Sequence, residues 1–84
     1  MKNKTLWRTD NVSLAAFLAL TFEVERVEWV NRSVYWLFEE SEDLFQSIED
    51  YHDNLALADP KALNDMVAEF KKTIFRLRDE QALA

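Results

Sequence analysis

Residues Phe22–Phe38, FEVERVEWVNRSVYWLF, decide the fold. They read as two strands turning back on each other at Asn31-Arg32. No glycine is present to make the turn, but Asn31 tolerates the left-handed conformation that a tight hairpin needs. The first arm, Phe22–Val30, changes phase: Phe22 and Val24 share one parity, Val27 and Trp29 the other. A flat strand would split these residues between its two faces. Either an extra residue near Glu25-Arg26 resets the phase as a bulge, or both faces are partly covered. The second arm, Ser33–Phe38, favours the second remedy. Val34, Trp36 and Phe38 lie on one face, Tyr35 and Leu37 on the other, and a strand apolar on both faces wants cover on both.

Working outward, helical patterns flank the hairpin. Before it, Thr9-Asp10-Asn11 offers N-caps to a helix of about Val12–Leu20. Leu14, Phe17, Leu18 and Thr21 form one stripe; Ala15, Ala16 and Ala19 keep the other side small enough to lie close to a sheet. After it, Ser41 is the expected N-cap of a second helix reaching about Asp53, with Glu42 and Asp43 where the helix dipole favours anions. Leu44, Phe45, Ile48, Tyr51, His52 and Leu55 follow its helical spacing. Leu55–Ala58 is a short connector. Asp59-Pro60 opens a third helix, whose stripe is Leu63, Met66, Val67, Phe70, Ile74 and Leu77; Asp79–Ala84 is expected to fray. Met1–Arg8 is a basic arm in which Leu6 and Trp7 either add an edge strand or cap the core. The expected fold is α+β in the order α-β-β-α-α, one small domain over residues 1–84.

The chain has 84 residues, of which 49% are hydrophobic and 13% aromatic, a globular composition. A domain of this size buries only about 60–65% of its unfolded surface, so its stability margin is thin. Cysteine is absent, which excludes disulfides and Cys-based zinc sites. The apolar run Val12–Phe22 is shorter than the roughly 20 residues that span a bilayer. No small-residue cleavage site follows it, so a cytoplasmic protein is expected. The net charge is −6, and residues 23–53 hold ten acids against two bases. Such a surface repels nucleic acid and anionic membrane and attracts basic partners.

The stretches TDNVSLAAFL, VNRSVYWLFEESEDLFQSIEDYH and LADPKALNDMVAEFKKTIF resemble a small family of bacterial and phage proteins described only as a domain of unknown function. The family pattern is similar to Thr-x-Asp…Leu-Ala-Ala-x-Leu, a hairpin ending in Phe-x-Phe-Glu-x-Ser, a helix closing in Tyr, and a helix rich in Leu and Lys. The resemblance covers roughly residues 9–77. It departs at Thr21, where the family often has Gly, and at the turn, which lacks the usual Gly. The matching residues are caps and core, so the resemblance implies a fold and a phage or mobile-element origin, and transfers no chemistry.

Motifs for catalysis are missing. Glu49-x-x-His52 is half of a di-iron motif with no second copy, and one histidine does not make a zinc site. Glu39, Glu40, Glu42 and Asp43 read more simply as a solvated helix start than as an acid–base pair. Without glycine no phosphate-cradling loop is available. The protein is therefore expected to be non-enzymatic, without metal or cofactor.

Two binding readings follow. In the first, Glu39, Glu40, Glu42, Asp43, Glu49, Asp50 and Asp53, with the aromatic residues Trp29, Tyr35 and Trp36, form a partner surface for a protein with a basic groove. Joined to the phage resemblance, this gives an inhibitor of a host nucleic-acid-processing or defence complex. The surplus of aromatic surface on a two-stranded hairpin also predicts a homodimer. In the second, a strand at 33–38 followed by helices at 41–53 and 60–78 has the order of a ribbon-helix-helix DNA-binding regulator. Against it, Tyr35, Trp36 and Leu37 are not a base-reading row, and the surroundings are acidic.

Overall fold

The computed structural model describes residues 4–53 and 58–82. In chain order they form β1 (Leu6–Thr9), α1 (Val12–Ala19), β2 (Val24–Val30), β3 (Ser33–Glu39), α2 (Glu42–His52) and α3 (Pro60–Ala82). The domain is α+β, with one antiparallel sheet of strand order β1-β3-β2. The N-terminal arm thus supplies a true edge strand. Glu40 N–H donates to the Thr5 carbonyl at 2.9 Å, carrying the β1 pairing one step past the ladder.

The hairpin turns where expected. Asn31 and Arg32 both have positive φ, 49° and 66°, as a two-residue turn matched to strand twist requires. Asn31 accepts this readily, whereas an arginine there is strained by roughly 1–2 kcal/mol. Arg32→Gly is therefore expected to raise the urea midpoint, with a gain of about 1 kcal/mol; an unchanged or lowered midpoint would mean that the Arg32 side chain repays the strain elsewhere.

The phase change in β2 is a bulge. Val24 pairs with Phe38 but Arg26 with Leu37, leaving Glu25 as the extra residue. Val24, Val27 and Trp29 then share a face with Phe38, Trp36 and Val34, their cross-strand partners. This corrects the expectation that both faces of the sheet are covered. The buried cluster joins Val34, Trp36 and Phe38 to residues of all three helices, so the helices lie on one face. Leu37 on the other face is still only 5% exposed. Its register neighbours are Arg8 on β1 and Arg26 on β2, whose aliphatic stems can shield a leucine while their charged ends stay wet.

Helix α1 is the inner layer. Ala15, Ala16 and Leu18 are fully buried, and the alanines let a backbone approach closely where a larger side chain would hold it off. Asn11 Oδ1 accepts from Leu14 N–H at 3.1 Å, making Asn11 the N-cap. Thr9, buried at the end of β1, accepts from Asn11 N–H through its hydroxyl. Thr21, placed on the stripe by sequence, is exposed.

Helix α2 starts at Ser41, whose hydroxyl accepts from Leu44 N–H at 3.0 Å. Leu44 is fully buried and Ile48 and Tyr51 half-buried, while Phe45 and His52 are exposed; the covered arc of α2 is narrower than its apolar spacing suggests. Leu55 lies outside the described residues, as does most of the 55–58 connector. Asp59 caps α3 as expected, its carboxylate accepting from Lys61 N–H at 3.1 Å. The α3 stripe packs on the core through Leu63, Met66, Val67, Ile74 and Leu77, with Phe70 buried. The helix continues through Asp79 to Ala82, beyond the end expected from sequence. The result is a thin body, 41 × 39 × 18 Å.

Candidate functional site

Seven acids were expected to form one surface, and the fold divides them. Glu39 ends β3 and Glu40 follows it, so both sit at one end of the sheet. There they line a hollow with Phe22, Glu23, Glu25 and Ser41. Lys4 partly neutralises this end: its Nζ lies 2.9 Å from Glu25 and 4.0 Å from Glu39. The Lys4 pKa is raised, first by the hydrogen bond to Glu25 and then by the charges of Glu25 and Glu39. Glu23 and Glu25 were missed from sequence. The hairpin register was the available signal, because folding at 31–32 returns residues 23–25 to the neighbourhood of 38–40.

The other acids belong to α2. Glu42, Asp43, Glu49 and Asp53 are exposed and Asp50 is half-buried. Glu42 and Asp43 fill the first turn, where the dipole favours them. Asp50 accepts from Gln46 Nε2 at 3.0 Å, an exposed i,i+4 pair that gives it a local structural role. Glu49 and Asp53 have no such role among the described residues, and they sit at the end of the helix where the dipole opposes them.

An aromatic side chain stands beside these acids. Phe45 is 41% exposed, and Glu42 and Glu49 lie three and four residues away, on the same side of the helix. A phenyl ring is poorly satisfied in water, and the part of it left exposed here is flanked by carboxylates. The outer side of α2 therefore combines an apolar anchor with like charges, an arrangement suited to a basic surface with an apolar notch.

The aromatic residues of the hairpin meet different fates. Trp36 is 1% exposed and stacks on Phe70, ring centroids 4.9 Å apart and planes 9° apart. It belongs to the core, which corrects its assignment to the partner surface. Tyr35 is half-buried on the open sheet face, with the Arg8 guanidinium 4.8 Å from its ring centre. Trp29 is half-buried and borders a shallow hollow with Arg32, Arg78 and Gln81. Tyr35 and Trp29 are thus accessible, but on surfaces other than α2.

His52 is exposed and meets Tyr51 edge-on at 5.7 Å. Among the described residues, no three His, Cys, Asp or Glu side chains come together in a set able to hold a metal ion. No helix among them is long and apolar enough to cross a membrane. The strand that a ribbon-helix-helix dimer would pair with its partner is β3, and β1 and β2 already occupy both its edges. The chain matches no family model, no curated protein and no solved structure.

Proposed function

We propose that the protein is a non-enzymatic, acidic protein-binding module that presents the outer side of α2 to a basic surface on its partner. The observation that carries this reading is the exposed Phe45 between Glu42 and Glu49. Exposed aromatic residues anchor interfaces, while surrounding charges steer encounter and choose the partner. The placement of Glu49 and Asp53 against the helix dipole adds support, because a local conflict of this kind marks a surface kept for something other than stability. The acidic surface of α2, together with the phage or mobile-element origin that the resemblance implies, supports a nucleic-acid-processing or defence complex of the host as partner, its basic groove covered by α2 in place of nucleic acid.

Capture from host lysate at low salt, with identification by mass spectrometry, tests the reading when run beside Phe45→Ala and Glu49→Lys/Asp53→Lys. The wild type is expected to retain a protein with a basic nucleic-acid site. Both variants are expected to lose it while keeping the circular dichroism of the fold, and the double reversal should leave the urea midpoint unchanged or slightly raised, because the dipole favours lysine there. Retention should also fall as salt is raised, since long-range attraction between exposed charges is screened. Equal capture by all three proteins at every salt concentration would make the acids a solubilising face only, and recovery of specific DNA in place of a protein would favour the regulator reading.

A further inference from the structure

We infer that the free edge of β2 is a self-complementary interface, through which two copies of this chain pair antiparallel about Val27. This goes beyond the α2 reading and does not depend on it.

Among the described residues the three-stranded sheet has two open edges, and these differ. β1 is four residues long and follows Lys4; β2 is seven residues long, VERVEWV, without lysine, proline or glycine. Short strands, lysines, prolines and bulges protect edges from pairing. The Glu25 bulge interrupts β2 near its start and leaves Arg26–Val30 in regular register with β3. Val27, on the face shared with Trp36, is 38% exposed at this edge.

Register follows from the turn. A two-residue loop makes its flanking residues, Val30 and Ser33, a hydrogen-bonded pair. Alternation then directs the backbone groups of Arg26 and Glu28 inward to β3, and those of Val27 and Trp29 outward to the free edge. A second β2 pairing antiparallel must therefore match outward-facing residues with outward-facing residues. With Val27 opposite Val27, Arg26 of each copy faces Glu28 of the other. A two-residue slip either way puts Glu28 opposite Glu28 or Arg26 opposite Arg26. Unlike charges directly across strands attract and like charges repel, so the Val27-centred register wins. In the single chain Arg26 Nε already lies 3.1 Å from Glu28 Oε2 on the open sheet face. Pairing would join two such couples into a ring of alternating charge, cover both Val27 side chains and extend the sheet from three strands to six.

Charge exchange read by sedimentation and native mass spectrometry tests this. The wild type is expected to dimerise at micromolar concentration. Arg26→Glu and Glu28→Arg should each weaken the dimer on the order of tenfold or more, because each variant sets like charges opposite at two places. An equimolar mixture of the two should form a heterodimer, since every cross-strand pair is then complementary. The exchanged double variant Arg26→Glu/Glu28→Arg keeps the within-strand ion pair, so its fold is safeguarded. It should dimerise with itself and exclude the wild type. A wild type that stays monomeric to millimolar concentration would overturn the proposal. So would a dimer indifferent to both single reversals, or free mixing of the double variant with the wild type.

Discussion

Replacing Phe70 by alanine is expected to destabilise the domain by about 3–5 kcal/mol, the range for removing a phenyl ring from a packed core. Phe70 is buried, on the core-facing side of α3. Its ring lies flat on Trp36 at 4.9 Å, and Trp36 stands on the central strand with almost no exposure. The substitution therefore opens a cavity between the long helix and the middle of the sheet. It also removes an aromatic pair worth roughly 0.5–1.5 kcal/mol beyond the area it buries. Domains of this kind hold only about 5–15 kcal/mol in total, so a large fraction of the variant is expected to be unfolded near 37 °C. Urea unfolding followed by tryptophan fluorescence reads both the loss of stability and the changed surroundings of Trp36. A loss below about half a kcal/mol, far under the core range, would mean that α3 does not pack through this residue.

Leu44 and Phe45 are neighbours in sequence and are expected to behave differently. Leu44 is fully buried at the start of α2, whereas Phe45 is 41% exposed. Leu44→Ala should lose about 2–5 kcal/mol, as a truncated core leucine does. Phe45→Ala should lose clearly less, about 1 kcal/mol, because only part of its ring is covered. This pair fixes the rotation of α2, and with it the side that α2 turns outward. Equal losses at both positions would put Phe45 into the core and remove the anchor from the proposed interface.

The hairpin, the caps at Ser41 and Asp59 and the α3 stripe were legible because each is set by local chemistry. A polar oxygen at a helix start, a proline at its first position and a three-to-four-residue spacing need no knowledge of the rest of the chain. Three features were less legible, each for a physical reason. The sequence offered a bulge or two covered faces for β2 and favoured the second, because Tyr35 and Leu37 read as an apolar outer face. Leu37 is instead sheltered in a row between Arg8 and Arg26, and an arginine stem does not register as apolar in a pattern. Phe45 and His52 were drawn into the α2 stripe because spacing cannot tell how wide an arc its neighbours will cover. α2 meets the core through Leu44, Ile48 and Tyr51 alone, too narrow a contact to include them. The end of α3 was misplaced because nothing after Arg78 supplies a glycine or proline stop.

The candidate site was legible in composition but not in arrangement. The acids of residues 39–53 stand out by count, yet only the hairpin register shows that Glu39 and Glu40 join Glu23 and Glu25 around one hollow at the end of the sheet. Trp36 looked like surplus aromatic surface until Phe70, thirty-four positions later, closed over it. Contacts of that separation are a property of the fold rather than of any local pattern.

The central claim, that the outer side of α2 is the partner-binding surface, is tested most directly by amide shift mapping. Isotope-labelled protein would be titrated with the partner captured from host lysate. The expected result is a set of perturbed amides confined to Glu42–Asp53 and centred on Phe45 and Glu49, which recedes as salt is raised. Perturbations centred instead on Arg8, Tyr35 and Leu37 of the open sheet face, with α2 unmoved, would contradict it.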